Sequence, residues 1–412
     1  MPDEDGHGKY FPMIKRLSLT ELHQLACIWN KDPTGIFVLE NLQIMHIKSC
    51  SSLKYLFTPS ATRKLHQLNE LKLEECEMLE TIIDNGDIKT VEFPTLSRVE
   101  LKSLTRLIGF YSHHVEFPKL KTLMIEKCPM LEEFTTKFAN IDALFSTKRE
   151  SFTELNEIMI DSCDKLKEIC IINKDLQELW HYNCPPKSFC KLEILTLSNN
   201  KLLSSISSSM IIRFKNLKKL TLDKCELLIE VFNLEDDKPD YNIQEILPQL
   251  KALTLSSLSK LTCLWNKEPQ VPFFSNLVSI YIAHCGILKS LFSLSSVKSL
   301  GKLKLLKLHN CEKIEEVISN EKYENVFISF PLMECLVLKD LPKLVNFCQQ
   351  NGTFNWPNLQ MVRVRSIPCM ETFSRGNLNT PLLRSVHITF TKKLWLGNLN
   401  KTISYMHNNP GM

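Results

Sequence analysis

The sequence has little excess charge and no long hydrophobic run. Lys and Arg number 50 and Asp and Glu number 46, so the formal net charge is only +4. So small an excess gives no ground for expecting a nucleic-acid partner. No run of about 18 apolar residues occurs, so no membrane span is predicted. The polar, acidic start from Met1 to His7 does not look like a secretory signal. We therefore expect a cytoplasmic protein, with the nucleus as the second compartment.

Motifs for catalysis and for metal binding are also missing. The phosphate-binding pattern fails at Gly301-Lys302, because Leu303 follows the lysine. The 15 cysteines form an odd set without an export signal, which predicts reduced thiols. His181, Cys184 and Cys190 have an H-x₂-C-x₅-C spacing that fits a zinc site poorly. We therefore expect no enzyme activity, no cofactor and no metal.

A repeated pattern, L-x-x-L-x-L-x-x-C, runs along the whole chain. Leu68, Leu71, Leu73 and Cys76 fill one copy, and other copies place leucine, Asn200, Ile367 or Thr391 where the cysteine stood. About 14 copies follow one another at intervals of roughly 24–30 residues, which is the period of leucine-rich repeats. A block of copies is itself duplicated, since "ELHQLACIWNKDP" at Glu21 returns as "SLSKLTCLWNKEP" at Ser257.

The pattern predicts an α/β leucine-rich-repeat horseshoe or solenoid. The two leucines of each L-x-L share one face of a short strand, and stacking of neighbouring coils buries that face. A parallel β-sheet should then line the concave face, while the convex face should be mostly coil with short helices. Helices are expected over Ser60–Leu68 and Ser295–Leu303, each with its serine as N-cap. Phenylalanines of the Phe-Pro pairs, such as Phe93 and Phe117, should stack along the convex side.

This repeat organisation predicts three parts of the chain. Residues 1–10 should be a disordered N-terminus, residues 11–396 the repeat array, and residues 397–412 a C-terminal tail or cap. Longer spacers predict insertions near 136–152, 171–189 and 233–247.

Residues beside and between the two strand leucines should point outward from the concave sheet and form a protein-binding surface. In the N-terminal half these residues lean acidic and include Glu70, Glu74, Glu100, Glu126 and Asp161. Towards the C-terminus they form a basic stripe that begins near Tyr281 and contains Lys307, His309, Lys339, Arg363, Arg365 and His387. A solvated face without a partner is the alternative for this stripe, since charge guides association without proving it.

Several ordered phrases give a family resemblance. "CSSLKYLF" at Cys50, "CEMLETII" at Cys76, "FPTLSRVELKSLTRL" at Phe93 and "LTCLWNKEP" at Leu261 resemble the leucine-rich-repeat region of plant coiled-coil NB-LRR disease-resistance proteins. The resemblance implies an intracellular immune-receptor component that senses pathogen effectors or a guarded host protein. Such receptors carry an NB-ARC ATPase, and the sequence contains none. We therefore expect a fragment, a truncated paralogue or an incomplete gene model, and in each case a chain that does not switch with nucleotide.

The protein partner implied by this resemblance is an effector, a guarded host protein or a domain of the receptor itself. The main alternative is the substrate-recognition part of a ubiquitin-ligase adaptor, whose repeats also use L-x-x-L-x-L-x-x-C. Such repeats continue with a regular helix after the cysteine, whereas here L-x-x-L-F and F-P-x-L follow. An extracellular receptor ectodomain and a nucleic-acid-binding solenoid are less well supported.

Overall fold

A computed structural model describes residues 14–28, 39–132, 154–163, 189–234, 244–319, 326–389 and 391–409, together with Phe134 and Leu166. The chain divides into two compact units, Met1–Leu202 and Leu203–Met412. The predicted N-terminal tail lies outside the described residues, and so do most of the three predicted insertions.

The first unit is a stack of parallel strands joined by irregular return segments. Its main sheet has the strand order β1-β2-β3-β5-β7-β8-β9, and β4 pairs with β6 in a second small sheet. In chain order its elements are β1 (Arg16–Thr20), β2 (Ile44–Lys48), α1 (Pro59–Thr62), β3 (Glu70–Glu74), β4 (Thr90–Glu92), β5 (Arg98–Lys102), β6 (His114–Glu116), β7 (Thr122–Glu126), β8 (Glu157–Asp161) and β9 (Ile194–Ser198).

The second unit repeats this organisation with more regular return segments. Its elements are β10 (Ile206–Ser207), α2 (Ser208–Ile211), β11 (Lys219–Asp223), β12 (Glu230–Asn233), β13 (Ala252–Ser256), β14 (Cys263–Trp265), β15 (Ser279–Ala283), β16 (Phe292–Ser293), α3 (Leu294–Val297), β17 (Leu305–His309), β18 (Glu316–Ser319), β19 (Val326–Ser329), β20 (Cys335–Lys339), β21 (Asn346–Cys348), β22 (Gly352–Asn355), β23 (Met361–Arg365), β24 (Asn377–Asn379), β25 (Val386–His387), β26 (Lys393–Leu394) and α4 (Leu399–Asn408). The main sheet runs β11-β13-β15-β17-β20-β23-β25-β26, and only β26 is antiparallel to its neighbour.

The main strands alternate between buried and outward side chains, as the repeat predicts. In β3 and β20, for example, the second and fourth residues are buried and the other three are partly exposed. Side chains alternate because successive residues of a strand point to opposite faces. The buried leucines of neighbouring coils pair in register, for example Leu71 with Val99 and Leu336 with Val362. The predicted solenoid of parallel strands with few short helices is confirmed.

A left-handed backbone conformation follows the main strands. Non-glycine residues adopt φ between 48° and 58° there, although this region costs energy for residues with a Cβ. Hydrogen bonds to the next coil hold the conformation: Ser103 N–H donates to the carbonyl of Glu126 over 2.8 Å, and Asp340 N–H donates to Arg365 over 2.9 Å. The residues in this position are Glu21, Ser49, Glu75, Ser103, Lys127, Ser162, Asn199, Lys224, Ser257, His284, Asn310, Asp340 and Ser366.

The repeat cysteines are packing residues that also close the turn. Cys76 and Cys311 are fully buried, and each thiol donates to the carbonyl two residues earlier, over 3.3 and 3.4 Å respectively. Asn200 plays the corresponding part differently, because its side-chain oxygen accepts from the Leu202 N–H. Burial raises the pKa of the Cys76 thiol to about 11. The cysteines in the described residues are free.

The return segments contain three-stranded sheets that the sequence analysis did not predict. These sheets run β10-β12-β14, β16-β18-β21 and β19-β22-β24 in the second unit. In the first unit Phe93 and Phe117, which follow β4 and β6, are buried and stack with ring centroids 5.9 Å apart. The predicted phenylalanine stack is therefore present, but it belongs to the core and not to the surface.

The predicted helices exist in shorter form and begin earlier. Helix α1 covers Pro59–Thr62, and Thr58, not Ser60, caps it by accepting from the Ala61 N–H. Helix α3 covers Leu294–Val297, and Ser293, not Ser295, is its cap. The predicted cap of α1 was wrong because proline favours the first helical position, which places the cap one residue before Pro59. The predicted cap of α3 was wrong because the side chain of Ser293 accepts from the Ser296 N–H.

The last described element is helix α4. It carries the buried residues Leu399, Thr402 and Ile403, and Asn398 caps it by accepting from the Lys401 N–H over 2.8 Å. Within the described part of the chain, no helix has both the length and the apolar character needed to cross a membrane.

Candidate protein-binding faces

The first, third and fifth residues of the main strands form the outer face of each sheet. Parallel pairing in register lines up equal positions of neighbouring strands, so that each position forms a column across the sheet. We call the outer face of β2, β3, β5 and β7 the charge-paired face. We call the outer face of β15, β17, β20, β23 and β25 the basic face. All predicted binding residues except Asp161 lie on these two faces, and Asp161 ends the next strand, β8.

Opposite charges alternate along the fifth-position column of the charge-paired face. Lys48, Glu74, Lys102 and Glu126 occupy successive strands in register. Lys48 lies 3.7 Å from Glu74, and Lys102 lies 3.1 Å from Glu126. Cross-strand pairs of opposite charge stabilise a sheet modestly, whereas like charges directly opposite each other are unfavourable. The predicted acidic residues Glu74 and Glu126 are therefore neutralised by neighbouring coils.

A second set of ion pairs links this column to the third-position column. Lys72 lies 2.9 Å from Glu74 and 3.3 Å from Glu100, and Arg98 also pairs with Glu100. The hydrogen bond from Lys72 lowers the pKa of Glu74. The same bond raises the pKa of Lys72. The network favours the charged form of both partners.

The remaining acidic candidates have other neighbours. Glu70 is half-buried at the first position of β3, in register with Arg98 of β5. Asp161 accepts hydrogen bonds from the side chains of Ser162 and Asn199. The acidic candidates thus share one sheet but do not form one concentrated acidic patch.

The basic face carries no Asp or Glu at any position of its five strands. Tyr281, Lys307, Val337, Arg363 and His387 form its third-position column. His309, Lys339 and Arg365 form its fifth-position column. The structure thus brings all the predicted residues of the basic stripe onto one sheet face in two adjacent columns.

An apolar column runs beside the basic ones. Leu305, Cys335 and Met361 pair in register at the first position of their strands. Met361 is 38% exposed, and Tyr281 in the third-position column is 37% exposed. The sequence analysis did not single out Leu305 and Cys335, although their place in the repeat could have revealed them. The basic face therefore combines positive charge with exposed apolar surface.

Asp340 is a further residue that the sequence analysis missed. It follows β20 in the left-handed conformation, and its carboxylate lies 3.2 Å from His309 Nε2 and 3.5 Å from Lys339 Nζ. Burial acts to raise the pKa of Asp340, but hydrogen bonds from Ser366 and Lys339 lower it overall. One carboxylate thus partly offsets the fifth-position column at its centre.

The pKa of His387 is affected by the positive charges at the end of the basic face. Burial and the positive charges of Lys393 and Arg363 lower its pKa. His387 is therefore neutral at pH 7, and the cationic character here comes from lysine and arginine. Among the described residues no group of three or more His, Cys, Asp or Glu side chains is placed to hold a metal ion. His181 and Cys184 of the weak zinc pattern lie outside those residues.

The repeated strand, the left-handed turn and the buried residue at the cysteine position of each copy define a leucine-rich-repeat protein. The family model described as "Plant disease resistance protein RPS2-like, leucine-rich repeats" matches residues 3–77 and 165–312. The chain belongs to this family. It is also 31% identical over 145 residues to the disease resistance protein SUMM2 of Arabidopsis thaliana. That alignment covers 32% of this chain and 15% of SUMM2, so the matched region is a small part of that protein.

Solved leucine-rich-repeat structures show weaker likeness. An internalin from Listeria monocytogenes is 15% identical with a TM-score of 0.30, and the alignment covers 75% of this chain and 83% of the internalin. A leucine-rich repeat protein from Bacteroides ovatus is 13% identical with a TM-score of 0.22, and here the coverage is 92% and 97%.

Proposed function

We propose that this chain is the protein-recognition part of a plant disease-resistance protein and that its basic face binds an acidic partner. The partner is a pathogen effector, a guarded host protein or another domain of the same receptor, and the site of action is the cytoplasm. The single observation that carries the proposal is the two basic columns in register without any acidic residue in their strands.

The difference between the two faces supports this choice of surface. On the charge-paired face, Lys72 and Lys102 are engaged with glutamates of their own sheet. On the basic face, Lys307 has Tyr281 and Val337 as its register neighbours, and neither can neutralise it. Complementary charge across an interface speeds association and selects the partner, and exposed aromatic and apolar groups add affinity.

The return segments favour this role over a ubiquitin-ligase adaptor. Adaptor repeats continue with a regular helix after the ladder cysteine. The described segments here carry short strands such as β12 and β18 instead, and their helices have four residues. Recognition also requires no catalytic group, in keeping with the lack of a catalytic motif in the sequence.

Double charge reversal tests the proposal. Proximity labelling in leaf tissue would compare the wild-type chain with an Arg363→Glu and Arg365→Glu variant. The matched control is Lys119→Glu with Lys121→Glu, which changes the net charge equally at exposed positions outside the basic face. We expect acidic proteins labelled by the wild type and the control to be lost from the first variant. The same labelled set for all three chains would refute the proposal.

A further inference from the structure

The residues at the cysteine position of the repeat form a buried column, which we call the ladder. In the second unit this ladder ends at Ile367. The equivalent residues of the preceding coils, Cys285, Cys311 and Leu341, have no solvent exposure, whereas Ile367 is half-buried. Strand β25 pairs with β23 at only two positions, Val362 with Val386 and Arg363 with His387, and then β26 turns back antiparallel. The strand that would cover Ile367 therefore stops short.

A cavity of about 690 Å³ lies beside Ile367, on the side where another coil would place its next buried residue. It is bounded by the turn after β23, by the segment after β25 and by helix α4. Apolar side chains dominate its lining: Ile367, Met370, Ile388, Ile403 and Met406. Ligand sites for small molecules have volumes of roughly 300–1,000 Å³ and are mostly apolar with a few placed polar groups. This cavity has the size and the lining of such a site.

The polar groups of the lining are cationic or able to hydrogen-bond. Arg365 lines the cavity and is exposed to solvent. His407, in the last turn of α4, also lines it, and its Nδ1 atom is buried without a hydrogen-bond partner. A buried polar atom without a partner is costly, and a ligand that hydrogen-bonds to it removes that cost. Lys393 and Arg363 add positive charge at this end of the sheet, as their effect on His387 indicates.

We propose that this cavity binds a small amphipathic anion, with an apolar body among Ile367, Ile403 and Met406 and a carboxylate near Arg365 and His407. Arg365 is also the last member of the basic fifth-position column, and it is the one outward residue of the basic face that lines the cavity. The inference rests on the end of the ladder and does not depend on the proposed protein-binding role.

Fluorescence of 8-anilinonaphthalene-1-sulfonate, an apolar anion, provides the first test. We expect saturable binding to the full chain, and displacement by decanoate at a concentration about tenfold lower than by decan-1-ol. Arg365→Gln should lower the ratio of decan-1-ol to decanoate displacing concentrations by about tenfold. This change corresponds to the loss of one charge-assisted contact. Lys339→Gln removes a cation of the same column that does not line the cavity, and it should leave the preference unchanged. Met406→Trp should fill the cavity and abolish binding.

Methyl NMR keeps the test decisive if Met406→Trp does not fold. In the wild-type chain labelled with [methyl-¹³C]methionine, decanoate should shift the signals of Met370 and Met406 and leave exposed Met78 unchanged. Equal displacement by decanoate and decan-1-ol, or shifts confined to Met78, would overturn the proposal.

Discussion

The charge-paired face and the basic face have the same backbone and opposite electrostatic design. Apart from the two-residue strand β25, both consist of five-residue strands in parallel register, with buried second and fourth residues. On the first, Lys72 pairs with Glu100 of the next strand. On the second, the equivalent column places Val337 between Lys307 and Arg363. The repeat fixes where an outward side chain lies, and the chemistry of that side chain can then differ between the two units.

The largest predicted effect concerns the buried leucines that lie behind both faces. Leu101→Ala and Leu338→Ala each remove a fully buried side chain from the equivalent fourth strand position. We expect each to lower the free energy of unfolding by about 2–5 kcal/mol. Urea denaturation followed by circular dichroism measures both, with Met361→Ala on the outer face as the control. A cost below about 1 kcal/mol for either leucine would contradict the shared core.

Exchanging the central residues of the third-position columns should give effects of opposite sign. Glu100→Val leaves Lys72 and Arg98 without their shared carboxylate and should destabilise the chain by about 1 kcal/mol. Val337→Glu places a carboxylate between Lys307 and Arg363 and should stabilise it by about 0.5 kcal/mol. Both effects should shrink in 1 M NaCl because salt screens exposed charges. The same sign for both substitutions would contradict the electrostatic difference between the two faces.

Acid should weaken the charge-paired face through Glu74. Its pKa is lowered from the ordinary value of 4.5, first by the hydrogen bond from Lys72. The unfolded chain therefore binds this proton more readily, and the stabilisation is complete above pH 4.5 and is lost as the pH falls through the lowered pKa. Denaturation measured between pH 3 and pH 7 should show that the free energy of unfolding falls less on acidification for Glu74→Gln than for the wild type. Identical pH profiles would contradict the role of the ion pair.

The smallest effects are expected at the left-handed turn position. Ser103→Gly relieves the positive φ of 53° but makes the unfolded chain more flexible, so the net change should stay within about 0.5 kcal/mol. Asp340→Gly should cost more, about 0.5–1 kcal/mol, because it also removes the carboxylate beside His309 and Lys339. Thermal denaturation at pH 7 compares the two variants. An equal result would remove any electrostatic role for Asp340.

The sequence predicted the buried positions because strand alternation and repeat spacing are local rules. Leu71, Leu73 and Cys76 all have no solvent exposure, as the pattern requires. The return segments followed no comparable rule. Strand β18 and its partner β21 depend on pairing between coils of different length, and neither segment's own sequence predicts that pairing. The cap at Thr58 had a local signal in the proline that follows it.

The candidate faces were predicted as lists of residues, and their partners were not. Glu74 and Glu126 were expected to form an acidic surface, but their register neighbours are lysines. The basic residues do gather as two columns, since their strands pair in parallel at equivalent positions. Their role in binding stays a prediction. Asp340 escaped notice because it lies outside the strand pattern and reaches His309 only through the fold.

Salt-dependent binding of poly-L-glutamate tests the difference between the two faces most directly. Fluorescence anisotropy would measure the affinity of the wild type, of Arg363→Glu with Arg365→Glu, and of Lys119→Glu with Lys121→Glu between 50 and 300 mM NaCl, a range over which the screening length falls (about 10 Å at 0.1 M). We predict that the first double variant weakens binding about 100-fold at low salt and flattens the salt dependence, while the control variant changes little. Equal losses in both variants, or an unchanged affinity and salt dependence in the first, would contradict the assignment of the basic face.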